Sequence, residues 1–279
     1  MTATLSLPFA HEAGAIPALG FGTGAMTGGM SVEAVALALK AGYRHIDTAR
    51  KYGTEGWVGE AMRASGLPRD EIFLTTKVSH ENLRADDFAR SVDDSLAALE
   101  VDYVDLLMVH WPNPAIALSE TMPALAKAKR QGLARHIGVA NFTTRLLDEA
   151  VALCPEPLAV LQAEYHPYLD QSKLLAAVGR HGLVFVAHCP VARGRLFGDP
   201  VLAEIAGKRG RSVAQVALRW LLQQNVAAIP FSSKPPRIAD NFNVFDFALD
   251  DGEMSRIAAL KRADGRVANP AGRVPGGWD

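Results

Sequence analysis

Short apolar runs rich in β-branched residues alternate with longer stretches of helical periodicity along this chain, and the beat repeats eight times. Strands are expected at residues 18–22, 45–48, 72–77, 103–110, 136–140, 159–165, 184–188 and 227–230. Each is followed by a helical pattern: 31–41, with Ser31 as its N-cap, then 55–64, 85–99, 119–130, 143–153, 171–180, 213–223 and 236–241. A small hairpin over 4–17 precedes the series; a helix over 250–261 and a Gly/Pro/Arg-rich tail over 263–279 follow it. Strand segments such as LLMVH and LVFVA are apolar throughout, which suits parallel strands covered on both faces. No composition break marks a linker. The expectation is an α/β chain of one domain, residues 1–279, folded as a (β/α)8 TIM barrel, with a doubly wound open sheet as the alternative.

Composition narrows the function classes. With 49% apolar and 21% charged residues, a large core can be buried, and 279 residues suit one barrel. The net charge of −1 lacks the basic footprint that nucleic-acid or membrane-surface binding requires. Cys154 and Cys189 stand far apart, which argues against a disulfide framework or a zinc site. The opening MTATLSLPFAHEAG lacks the basic start and apolar run of a signal peptide, and no stretch is long enough to span a membrane. A cytoplasmic monomer with no metal is expected. No HExxH, GxSxG or GxxxxGK[ST] motif occurs. Gly20–Ala25 does satisfy G-x-G-x-x-A, but the helix is expected only at Ser31, too far behind the glycines to present its N-terminus to a phosphate. The stretch 20–29 reads instead as the first loop of the rim, its small residues leaving room over a ligand.

Barrel chemistry sits at the carboxyl ends of the strands. Three successive strands end in polar residues: Asp47, with Tyr52 five residues on; Lys77; and His110, followed by Trp111. Singly, each has an ordinary structural role, as a turn cap, packing, a snorkelling ammonium or a core histidine. Together they aim at one rim. A phenol with a pKa near ~10 is a poor proton source at neutrality; a neighbouring ammonium lowers that value, and a carboxylate can hold the ammonium. Asp47 and Lys77 suit those roles, and a neutral His110 can orient a substrate carbonyl toward Tyr52. Reduction would then need a hydride from a cofactor. A lyase or isomerase using Lys77 as a Schiff base remains open.

The stretch GYRHIDTARKYGTEGWVG (42–59) resembles the signature of the aldo-keto reductases, and the likeness extends to TTKV, VHWP, IGVANF, QAEYHP and IPFSSKPPRIADNFNVFDF, in the family's order. The short connection after His110 and the ending Trp278-Asp279 resemble the small bacterial reductases of 2,5-diketogluconate and methylglyoxal type. The resemblance implies a (β/α)8 barrel that reduces aldehydes and ketones with NADPH, Tyr52 being the general acid and Asp47, Lys77 and His110 completing its tetrad. It also implies nicotinamide contacts from Asn141 and Gln162, ring stacking by His188, phosphate contacts from Ser232, Lys234 and Arg237, and an adenine contact from Asn241. Some members of this superfamily act instead as redox-sensing or regulatory subunits, which stands as the second reading.

Three positions depart from the family. Ala140 replaces a Ser and loses one donor. His188 stands where Tyr or Trp is usual, offers a smaller ring face and is expected to titrate near neutrality. Phe231 replaces the Lys that pairs with the 2′-phosphate of NADPH, so NADPH preference with some use of NADH is expected, through Arg237 and a shifted Lys234. Substrate contacts are expected from Phe21, Lys51, His80, Trp111 and Trp278, with Arg266 and Arg273 as attractors of an anionic group. An open, aromatic-poor pocket favours small polar carbonyls such as dicarbonyls and keto sugars.

Overall fold

The computed structural model of the chain describes residues 5–24, 30–274 and 277–279. It opens with an antiparallel hairpin, β1 (Ser6–Pro8) against β2 (Ala15–Pro17), in which Leu7 faces Ile16. Eight parallel strands follow: β3 (Phe21–Gly22), β4 (His45–Asp47), β5 (Phe73–Val78), β6 (Val104–Val109), β7 (Ala134–Ala140), β8 (Val160–Glu164), β9 (Val184–His188) and β10 (Ala227–Ala228). Each bonds to the next in chain order. The outer two also meet: Leu19 bridges to Ala228, Gly20 N–H donates to the Ala228 carbonyl, and Ala228 N–H donates to that of Ala18. An open doubly wound sheet has no such contact. The sheet is curled and TIM-barrel-like.

Helices α1 (Met30–Ala41), α2 (Glu55–Ala64), α3 (Ala85–Leu99), α4 (Leu118–Arg130), α5 (Thr144–Leu153) and α6 (Ser172–Arg180) each connect one strand to the next. Between β9 and β10 lie two helices, α7 (Pro200–Arg209) and α8 (Val213–Leu222); α9 (Pro235–Phe242) and α10 (Asp251–Ala258) close the series. α7 was not expected from the alternation. It is nonetheless well specified: Asp199 caps it by accepting from the N–H groups of Val201 and Leu202, and Pro200 occupies its first turn. The expected cap at Ser31 is displaced, because that residue lies inside α1. The last helix stops at Ala258, three residues before the expected end.

Strand alternation decides what faces the barrel interior. A Cβ on Gly20 would lie 2.4 Å from His45 Nδ1, so His45 fills the space that Gly20 leaves, with its Nε2 3.1 Å from Thr75 Oγ1. The intervening Phe21 therefore points outward into the helix layer, where its ring lies 5.6 Å from that of Tyr43. In the outer layer, a Cβ on Gly59 would come within 2.2 Å of the Leu99 carbonyl, so the glycine ending the GWVG string lets α2 lie close on the end of α3. The hairpin covers the amino-terminal end of the strands: Phe9 packs on His136 at 4.4 Å, and Glu12 pairs with both His136 and Lys129. The carboxyl-terminal rim is left for chemistry.

Candidate active site

Asp47 ends β4, Lys77 is the penultimate residue of β5, His110 follows β6, and Tyr52 ends a one-turn 3-10 helix, Arg50–Tyr52, just beyond Asp47. Parallel register sets Asp47 beside Thr75 and Lys77 beside Met108, so the side chains converge on one rim. Lys77 is completely buried; its Nζ donates to Asp47 Oδ1 at 2.5 Å and to the Thr48 carbonyl at 2.9 Å. It does not snorkel. The other carboxylate oxygen, Asp47 Oδ2, accepts from Gln162 Nε2 at 2.8 Å. Tyr52 Oη lies 3.3 Å from His110 Nε2 with the rings edge to face, and Lys77 Nζ is 5.5 Å from the Tyr52 ring centroid.

Burial dominates the titration of this cluster. It holds His110 well below 6.5, helped by the charge of Lys77, so the imidazole is neutral at physiological pH. It also pulls Lys77 down, against the opposing pull of Asp47. The phenol of Tyr52 is pushed up, first by desolvation and then by the negative charge of Asp47. The expectation that Lys77 lowers the Tyr52 pKa is not met: burial and the Asp47 carboxylate, which binds the ammonium at 2.5 Å, both raise it.

Tyr52 and His110 border a cleft of about 1270 Å³ that is also lined by Asn141, Gln162, His188, Phe231, Ser232, Lys234, Arg237 and Asn241. All seven residues expected to hold a cofactor line it. Asn141 adopts the left-handed region (φ 62°), donates from Nδ2 to the His110 carbonyl at 2.9 Å, and lies with Oδ1 2.8 Å from His188 Nε2. Burial pushes His188 down to about 4, which corrects the expectation that it titrates near neutrality. Ser232 Oγ accepts from the Lys234 N–H, and the guanidinium of Arg237 lies 5.9 Å from the ring of Phe197.

The substrate expectations divide. Trp111 lines the cleft, and Trp278 lies against it, edge to face at 6.1 Å. Phe21 is removed from the set, since it is buried against Tyr43 outside the barrel. Lys51 and His80 are removed as well: both bond to Glu81, at 2.7 Å each, and neither borders the cleft. Arg266 stacks on Trp278 at 3.7 Å and lies 3.9 Å from Glu164, so its charge is already engaged; Arg273 does not line the cleft.

Gly24, one of the small residues expected to leave room at the rim, lines the cleft, and several further residues there were not foreseen. Gly24 faces Tyr52 so closely that a Cβ would sit 3.0 Å from the phenol's Cζ. The loop after β9 supplies Cys189, Arg193 and Phe197, and the tail supplies Val267, Ala268, Asn269 and Pro270. That tail is held by the buried Glu164 at the end of β8, whose oxygens accept from the Val267 N–H at 2.6 Å and the Ala268 N–H at 2.7 Å, and which also pairs with His166 at 2.8 Å. These bonds hold the Glu164 carboxyl below the usual range despite its desolvation. The rule that strand-following loops build the rim was the available signal for the β9 loop; in the tail the sequence singled out Trp278 and the arginines, while residues 267–270 carry no signal of their own.

This arrangement has known counterparts. Residues 18–262 match the aldo/keto reductase family. The chain is 40% identical to methylglyoxal reductase DkgB of Escherichia coli O157:H7 over 95% of this chain and all of that one. It is 42% identical to morphine 6-dehydrogenase of Pseudomonas putida over 88% of each. A solved structure described as a candidate 2,5-diketo-D-gluconic acid reductase B superposes with a TM-score of 0.95 at 44% identity, covering 99% of this chain and 98% of that one. With the family match, these relatives and the rim geometry in agreement, the chain belongs to the aldo/keto reductase family.

Proposed function

We propose that the protein reduces small aldehydes and ketones, dicarbonyls and keto sugars among them, to alcohols with NAD(P)H, with Tyr52 as the general acid. The observation that carries this is the pairing of Tyr52 with a neutral His110 at 3.3 Å, directly beside the buried Lys77–Asp47 ion pair. The cleft suits a nicotinamide dinucleotide. Asn141 and Gln162 each spend one amide N–H on the protein and keep the other, with acceptor lone pairs, for a primary carboxamide. Elsewhere in the cleft, Ser232, Lys234 and Arg237 gather about the start of α9, where two cations and a hydroxyl favour phosphate.

A bound reduced nicotinamide supplies the hydride that adds to the carbonyl carbon. The chain does the rest. His110 Nε2 and Tyr52 Oη together hold the carbonyl oxygen. Tyr52 delivers its proton to that oxygen as negative charge develops there, and the Lys77 ammonium, 5.5 Å from the ring, counters the Asp47 carboxylate that would otherwise oppose the phenolate left behind. Trp111, Trp278 and the tail wall the substrate side. A Schiff base at Lys77 is disfavoured, because its Nζ is buried, doubly bonded to the protein and outside the cleft lining.

On this reading NADPH is preferred, with appreciable use of NADH, because Phe231 removes one phosphate partner while Arg237 and Lys234 remain. The reading also carries a monomeric, cytoplasmic, single-domain enzyme; gel filtration checks the first of these. The test of function is dinucleotide oxidation with methylglyoxal, 2,5-diketogluconate and simple aldehydes, each assayed with NADPH and NADH. Turnover is expected with both dinucleotides and a higher kcat/KM with NADPH. No oxidation with any carbonyl would refute the reductase, and a strong NADH bias would refute the phosphate assignment.

A further inference from the structure

The direction of each hydrogen bond around Asn141 can be worked out. The His110 carbonyl can only accept, so the group facing it at 2.9 Å must be the Nδ2 amide. Oδ1 then faces His188, and an amide oxygen can only accept. The 2.8 Å contact therefore requires His188 to carry its hydrogen on Nε2. A neutral imidazole with that tautomer leaves its lone pair on Nδ1, and burial keeps the ring neutral down to about pH 4. A directed chain of bonds thus crosses the rim from the end of β9, through the residue after β7, to the residue after β6.

We propose that His188 is a positioning residue, whose Nε2–H fixes the amide of Asn141 and through it the backbone of His110. The inference rests on the reductase reading for its kinetic consequence, but the hydrogen bond itself belongs to the cofactor-free protein. Asn141 sits in the left-handed region, which asparagine tolerates better than most residues, at the closing turn of its strand. Its amide has two roles, support of His110 and contact with the nicotinamide, and only one orientation serves both. Without a donor at 188, Oδ1 is left partly unsatisfied and the amide is free to rotate. A ring that only stacks has no hold on that rotation.

The two roles of residue 188 separate cleanly by substitution. His188→Phe keeps a ring face and loses the donor; His188→Gln loses the ring and keeps a donor of similar reach. The first measurement is the side-chain amide resonance of Asn141 in 15N-labelled, cofactor-free protein, assigned by its loss in Asn141→Asp. The second is the split of kcat, KM and dinucleotide Kd, with thermal midpoints to confirm that each variant folds. A positioning role predicts that His188→Phe shifts the Asn141 amide signals and lowers kcat about 10-fold, the size of one unsatisfied buried acceptor. It further predicts that dinucleotide Kd moves little and that His188→Gln restores most of kcat. Unmoved amide signals, or a Phe variant that matches wild-type kcat while the Gln variant fails, would overturn the proposal in favour of stacking alone. If the wild-type protein reduces no carbonyl, the reductase reading falls, and the amide signals still decide whether His188 holds Asn141.

Discussion

Asp47 is the residue on which the tetrad's stability turns. It is buried, and its two oxygens bind the Lys77 ammonium and the Gln162 amide. Asp47→Asn keeps the shape but leaves a buried ammonium without its counter-charge, and breaking such a pair typically costs about 3–5 kcal/mol. The variant should lose turnover and show a clearly lower thermal midpoint than wild type; an unchanged midpoint would mean that the ion pair contributes nothing net. The meeting of these four side chains at one rim was legible in the sequence because chemically unusual residues fall at or just beyond three successive strand ends. The orientation of Phe21 was not read correctly. A strand's faces alternate residue by residue, so a one-residue error in which face is inward reverses every assignment. The flanking Gly20 and Gly22 held the clue: a Cβ on Gly20 would collide with His45, and one on Gly22 would press on the Ile229 carbonyl at 3.1 Å. The pairing of Lys51 with Glu81 depends on how two loops meet in space, which spacing alone does not report, and Glu81 also holds its neighbour His80.

At the scale of elements, the substrate wall is built from a tail that has no regular structure of its own. Residues 267 and 268 are bonded to the Glu164 carboxylate, Asn269 accepts from Trp278 Nε1, and Trp278 packs on Arg266 and Trp111. Glu164→Ala removes both anchoring bonds. It should raise KM for the carbonyl substrate about 10-fold, equivalent to the loss of one or two buried hydrogen bonds, while changing dinucleotide affinity much less. Limited proteolysis should cut the variant after residue 262 faster than wild type; equal rates would show that the tail is held by other contacts. The regular elements were largely foreseen, since each strand and each connecting helix carries its own periodicity. α7 was missed for a specific reason. A strict strand-then-helix beat leaves no place for a second helix before β10, although Asp199-Pro200 is a good helix start by itself. The tail's docking is a long-range contact between residues about a hundred positions apart, 164 with 267 and 268.

For the whole molecule, burial of neutral histidines sets the acid limit of stability. Burial lowers His45 and His188 from 6.5 to about 4. Between those values the unfolded chain binds protons that the folded protein refuses, so stability falls as pH falls. The contribution is complete above about pH 6.5 and is lost progressively toward pH 4. The bonded carboxylates Glu12 and Glu164, both held low, add a loss of the same sign at more acid pH. Thermal midpoints should be level near neutrality and drop steadily below about pH 6, with His45→Gln flattening the upper part of the drop. A level profile down to about pH 4.5 would contradict the neutral state of both rings.

The central claim concerns one proton. Steady-state reduction of methylglyoxal by Tyr52→Phe, with dinucleotide Kd measured on the same preparation, tests it most directly. The account predicts a fall in kcat of about 10²–10⁴-fold, the usual contribution of a general acid, with dinucleotide affinity near wild type. Retention of wild-type kcat by this variant would contradict it.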